Sequence, residues 1–154
     1  MAQVQNVEND EIAQLKKILG TAIGKMYAEE TPLPKKEGME QAIVFRVAVY
    51  MNELLKSSAF KELHLDCEYN KCMDDPKTTP NFKEGLRPDL LIHKRGDHSG
   101  NKLAVEFKGW WQKDFDRDKR KLKDLVNREY DYKYVLGAFV LIGKDKPEIE
   151  YFTG

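Results

Sequence analysis

The chain has 154 residues, of which 41% are apolar, enough for one contiguous core and so for one domain spanning 1–154. Charged residues make up 34%, with Lys+Arg and Asp+Glu equal at 26 each. That balance excludes a long-range pull on a polyanion, so a nucleic-acid site has to be a local patch. No apolar stretch approaches the ~20 residues of a bilayer span, and the acidic start (Glu8, Asp10, Glu11) is unlike a secretory signal; a cytoplasmic location is expected.

Ile12, Leu15, Leu19, Ala22, Ile23 and Met26 recur at three- and four-residue steps and predict a helix over 9–29 that buries one stripe. Thr31-Pro32-Leu33-Pro34 breaks it, since proline lacks an amide donor and biases its predecessor towards extended geometry. A second helix is expected over 37–57, separating an N-terminal helical extension (1–36) from the rest (37–154). Residues 63–71 read as a strand, and 73–85, rich in Pro, Asp, Thr, Asn and Lys, as a long mobile connection. Cys67 and Cys72 are expected as free buried thiols, because alternation sets them on opposite strand faces. A zinc site joining them to His64 lacks a second ligand pair with recognisable spacing.

Residues 86–94 and 102–109 read as a hairpin around Arg95–Asn101, whose Gly and Asp/Asn residues mark a reversal. Helical spacing returns over 114–127, the apolar run 134–142 fits a strand buried on both faces, and a short strand follows at 148–152. The fold expected is a mixed α/β sheet flanked by helices.

Within the hairpin, alternation puts Glu106 and Lys108 on one face with Ala104, and Leu103, Val105 and Phe107 on the other, packed face. A turn centred between His98 and Ser99 sets Asp89 opposite Lys108 and Glu106 opposite Leu91, leaving Asp89 and Glu106 as diagonal neighbours ~7–8 Å apart. Two acids beside a lysine are compensated either by a divalent cation with hard oxygen ligands or by a cross-strand Asp89–Lys108 salt bridge on an open sheet surface. Glu40 falls in line with the apolar stripe Ile43, Val44, Val47, Met51 and Leu54 of the second helix, although a first-turn glutamate is also favoured by the helix dipole alone.

Arg87-Pro88-Asp89, followed after sixteen residues by Glu106-Phe107-Lys108, resembles the signature of the PD-(D/E)XK nuclease superfamily, which includes type II restriction enzymes and Holliday-junction resolvases. The order of elements after an acid-bearing helix is also similar to that superfamily's core, α-β-β-β-α-β, and the likeness covers about residues 37–143. The resemblance implies a restriction-endonuclease-like fold and a magnesium-dependent DNA endonuclease, with manganese able to substitute and no organic cofactor. Asp89, Glu106 and the Phe107 backbone carbonyl would hold the metal, and Glu40 would act through a water or a second ion. Lys108 would orient the attacking water or stabilise the transition state, with base and stabiliser both open. Arg87, Lys119, Lys121, Trp111 and Gln112 are the candidate nucleic-acid contacts, the lysines belonging to a stretch, Arg117–Lys123, with five basic residues and one acid. Two further expectations follow. DNA is the partner, in restriction, repair or recombination, and a homodimer is plausible because the apolar first helix lies outside the shared core. The alternatives are a non-catalytic DNA-binding or protein-interaction module that retains the fold, and an RNA-processing nuclease. His93 is expected as a satisfied structural histidine.

Overall fold

A computed structural model describes residues 1–72 and 75–154. Its elements in chain order are α1 (Ala2–Glu29), α2 (Pro32–Lys35), α3 (Glu40–Lys56), β1 (His64–Cys67), β2 (Lys71–Cys72), β3 (Asp75–Pro76), β4 (Leu90–His93), β5 (Leu103–Gly109), α4 (Asp116–Val126), β6 (Leu136–Ile142) and β7 (Pro147–Phe152). The five long strands form one mixed sheet in the order β1-β4-β5-β6-β7. Only the β5/β6 pair is parallel, and α4 makes the crossover that a parallel pair requires. Strands β2 and β3 form a separate two-stranded ribbon. The chain is therefore mixed α/β, with a sheet flanked by helices. Among the described residues no helix is long and apolar enough to cross a membrane.

The two faces of the sheet bury different cores. Leu90, Ile92, Leu103, Val105 and Phe107 join the stripes of α1 and α3, while Leu91, Ala104 and Phe139 pack under Leu122, Leu125 and Val126 of α4. The open sheet surface that the Asp89–Lys108 salt-bridge alternative required is absent among the described residues: α4 covers that face, and Glu106 is only 2% exposed.

Helix α1 starts at Ala2, earlier than expected, and its stripe Leu15, Leu19, Ala22, Ile23 and Met26 is fully used against α3 and the sheet. It shares the main core with α3 and the sheet. The Pro-rich break contains a single helical turn, α2, with proline where the first turn tolerates it.

Residues 75–85 are pinned, contrary to the mobile connection expected; Met73 and Asp74 of that segment lie outside the described residues. The Thr79 hydroxyl donates to Asp124 Oδ2 at 2.6 Å and the Asn81 amide to Asp124 Oδ1 at 3.0 Å. The Lys77 ammonium, 2% exposed, donates to the Lys71 carbonyl, and Phe82 enters the α4-side core. Both cysteines are free, but Cys67 is exposed, not buried, and Cys72 lies with its Sγ 3.1 Å from His98 Nε2.

The hairpin register also differs from expectation. Leu90 faces Val105 and Ile92 faces Leu103, which extends to Asp89 directly opposite Glu106, not Lys108. The reversal holds a 3-10 turn at His98–Gly100 closed by the Asp97 carboxylate on the Ser99 amide, so its centre lies one residue earlier. A displacement of two residues in pairing keeps each side chain on its face, so the partners changed and the faces did not.

Candidate metal and phosphate site

The Asp89 carboxylate accepts the Phe107 backbone amide at 2.7 Å, which fixes it across the strand pair against Glu106. Strand β5 carries Lys108 to the same face, and α4 supplies Asp118 and Lys121 from above. Lys108 Nζ lies 3.1 Å from Asp118 Oδ2, while Lys121 Nζ lies 3.2 Å from Asp118 Oδ1 and 3.5 Å from Glu106 Oε1. Lys108 is therefore paired with Asp118, not with Asp89 as the cross-strand alternative required.

Asp118 is the member of this cluster that sequence reasoning missed. It sits four residues before Leu122 and seven before Leu125, on the buried stripe of α4, and is 6% exposed. The argument that singled out Glu40 would have found it.

Glu40 opens α3 and faces the same cluster. Burial, then the nearby Asp89 charge, pushes its carboxyl up, with Lys108 pulling the other way. Burial also raises Asp89, against the Phe107 amide. Glu106 is pushed well above the usual carboxylate range, first by burial and then by the Asp89 charge, with Lys121 pulling the other way. For Lys108, burial favours the neutral amine, but the Asp118 hydrogen bond and the charges of Asp118, Glu40 and Asp89 outweigh it and leave the ammonium reinforced.

Among the described residues, Glu106 Oε1 and Glu40 Oε2 are buried without a hydrogen-bond partner. Lys121 is near Glu106 Oε1 but does not hydrogen-bond it. Unmet acceptors of this kind are costly, and a hard cation satisfies them. Among the described residues no three His, Cys, Asp or Glu side chains converge into a metal cage. Magnesium does not require one, because it takes one or two carboxylates and keeps several waters. The residues present fit that ion.

Of these acids Glu40 and Asp89 open into a cleft of about 520 Å³, lined further by Gln41, Val44 and Phe45 of α3, by Cys67 and Glu68 at the end of β1, and by Trp111 and Gln112 beyond β5. Trp110 is anchored by its indole N–H to the Pro34 carbonyl at 2.8 Å, and Trp111 lies in the cleft. Gln112 Oε1 accepts the Gly109 amide at 2.8 Å.

The remaining sequence candidates divide. Lys121 belongs to the acid cluster. Lys119 is turned to β7, where it pairs with Glu150 at 2.8 Å over the Phe139 ring. Arg87 is exposed two residues before Asp89. His93, 3% exposed, pairs with Asp66 at 2.7 Å and belongs to a different cluster. No protein-family model, curated protein or solved structure matches this chain.

Proposed function

We propose that the chain is a magnesium-dependent endonuclease of the PD-(D/E)XK type acting on DNA, with a restriction-endonuclease-like core. The observation that carries this reading is Asp89 facing Glu106 across β4 and β5, with Lys108 two residues further on and two buried carboxylate oxygens lacking partners.

Asp89, Glu106 and the Phe107 carbonyl are the groups that would hold the ion, and Glu40 is within reach of a second ion or a water. Magnesium or manganese, when bound, supplies positive charge against phosphoryl oxygens and lowers the pKa of water. Lys108 would orient the attacking water or hold negative charge developing on the scissile phosphate. Asp118 positions Lys108 and Lys121 together. Gln112 and Trp111, which line the cleft, and Arg87, exposed outside it, are the groups that would contact the strand, whereas Lys119, paired with Glu150, would contribute less.

The test is incubation of supercoiled plasmid, single-stranded and branched DNA with Mg²⁺ or Mn²⁺. Cleavage that Asp89→Ala and Lys108→Ala each abolish supports the enzyme; parallel RNA substrates separate an RNA-processing activity. One observation favours a second reading, a DNA-binding or protein-interaction module: Lys108 and Lys121 are both compensated by Asp118 inside the protein. Binding without cutting in either metal would select it. A homodimer that cuts both strands is part of the first reading, and light scattering giving a single 17.9 kDa mass removes it.

A further inference from the structure

The cleft beside the acids is unlike a phosphate site. Its side chains include three carboxylates, Glu40, Glu68 and Asp89, and among the described residues no Lys, Arg or His lines it. The cleft itself offers a phosphodiester no cationic side chain. The cationic groups lie elsewhere, Lys108 and Lys121 under α4 and Arg87 outside. What the cleft offers is aromatic surface and directional hydrogen bonding.

Trp111 is held in place to provide that surface. Its ring lies directly over Gly109, where an added Cβ would come within 2.2 Å of it, so only glycine leaves the ring this position. Trp110, anchored to Pro34, meets it edge-on at 5.5 Å between ring centroids. The remaining ring surface is directed to the cleft, and Phe45, 57% exposed, stands on the α3 rim. Val49 is also exposed on this face of α3, and Arg46 lies over the Phe45 ring at 5.6 Å, so the rim presents apolar surface beside a guanidinium. Gln112 uses its oxygen on the Gly109 amide, which orients its NH₂ group as a free donor, while Glu40, Glu68 and Gln41 provide acceptors. A flat heterocycle with both donors and acceptors on its edge matches this lining, and a nucleobase is such a group.

Resting on the nuclease reading above, we propose that this cleft takes one unpaired base next to the scissile phosphate, so that the substrate class is single-stranded or locally unpaired DNA, with Trp111 and Phe45 as the stacking residues. Glu40 and Asp89 line the cleft and also belong to the acid cluster, so a base seated here places its own phosphate at the acids. In a continuous duplex the base is stacked and paired, and entering the cleft requires it to flip out, which an already unpaired strand does not.

The test uses the full chain carrying Trp110→Phe, in which Trp111 is the one remaining tryptophan, in chelator so that no cutting occurs. Oligothymidylate should quench Trp111 emission and, followed by the fluorescence anisotropy of a labelled strand, bind about tenfold more tightly than a duplex of equal length; by the same anisotropy readout Phe45→Ala or Trp111→Leu should each weaken it about tenfold, the loss expected from one base–aromatic stack. Phe45 is exposed, so its variant keeps the fold, and far-ultraviolet circular dichroism verifies both. Equal affinity for duplex and single strand, no change in either variant, or quenching by an arginine-rich peptide but not by oligothymidylate overturns the proposal. The two readings fail separately. Plasmid cutting without single-strand preference sinks only the cleft assignment, whereas tight oligothymidylate binding with no cutting in Mg²⁺ or Mn²⁺ sinks only the nuclease.

Discussion

Strand β4 has a carboxylate cluster at each end, and the two are built on opposite principles. At its C-terminal end Asp66, reaching across from β1, accepts Arg95 through Nε at 2.9 Å and through Nη2 at 2.5 Å, and also pairs with His93. Burial alone would raise Asp66, but those hydrogen bonds and charges outweigh it and hold the acid below the usual range. At the other end Asp89 faces Glu106, both acids are raised, and one Glu106 oxygen has no hydrogen-bond partner among the described residues. A buried charge with all its partners present keeps a fold together; a buried charge lacking one marks where a ligand is needed. Both clusters depend on the same pleat, which suggests that the difference reflects use and not location.

The contrast is most sharply broken by substitution. Asp89→Asn and Lys108→Ala should each lower plasmid cleavage by roughly 10²- to 10³-fold, the usual cost of one electrostatic group at a reacting phosphate, with little loss of stability by thermal melting. Asp66→Asn should do the reverse, destabilising by about 2 kcal/mol in urea titration as His93 and Arg95 lose a charged acceptor, while leaving the cleavage rate intact. Loss of cutting in the Asp66 variant would show that the two clusters are one functional unit.

Dependence on pH should separate the clusters by sign. In chelator, raised carboxyls such as Glu106 bind protons better folded than unfolded. Their stabilisation is complete below the ordinary glutamate value of 4.5 and is lost as pH rises through the raised folded value. Asp66 acts oppositely, contributing above 3.8 and losing that contribution as pH falls through its lowered value. Glu106→Gln should therefore stabilise the metal-free protein near neutral pH by about 1–2 kcal/mol, a rise of roughly 3–6 °C in melting temperature, and flatten the decline of stability with pH. An unchanged slope would place the unpaid charge elsewhere. The smallest effect concerns the pinned segment: Thr79→Val, which removes a hydroxyl from Asp124, should cost about 1 kcal/mol and speed limited proteolysis within residues 75–85.

Much of this was legible in the chain. The apolar periods of α1, α3 and α4, the two-sided burial of β6 and the shared face of Glu106 and Lys108 all follow from spacing, because side-chain direction is set locally. Register and coverage were not. One residue's displacement of the hairpin centre, set by the Asp97–Ser99 turn, changed the residue opposite Asp89 from Lys108 to Glu106. Residues 75–85 have loop composition and are ordered by Asp124 and Tyr132, more than forty positions away, which no local pattern reveals. The helix that covers Glu106 brings Asp118 and Lys121 to it, and that closure turned an expected surface pair into a buried network.

The decisive experiment is an anomalous difference map from crystals soaked in manganese. A peak bridging Asp89 and Glu106, within bonding distance of the Phe107 carbonyl and lost in Asp89→Asn crystals, is the predicted result. A fully soaked crystal with no peak there, and with Glu106 still hydrogen-bonded to Asp89, would contradict it.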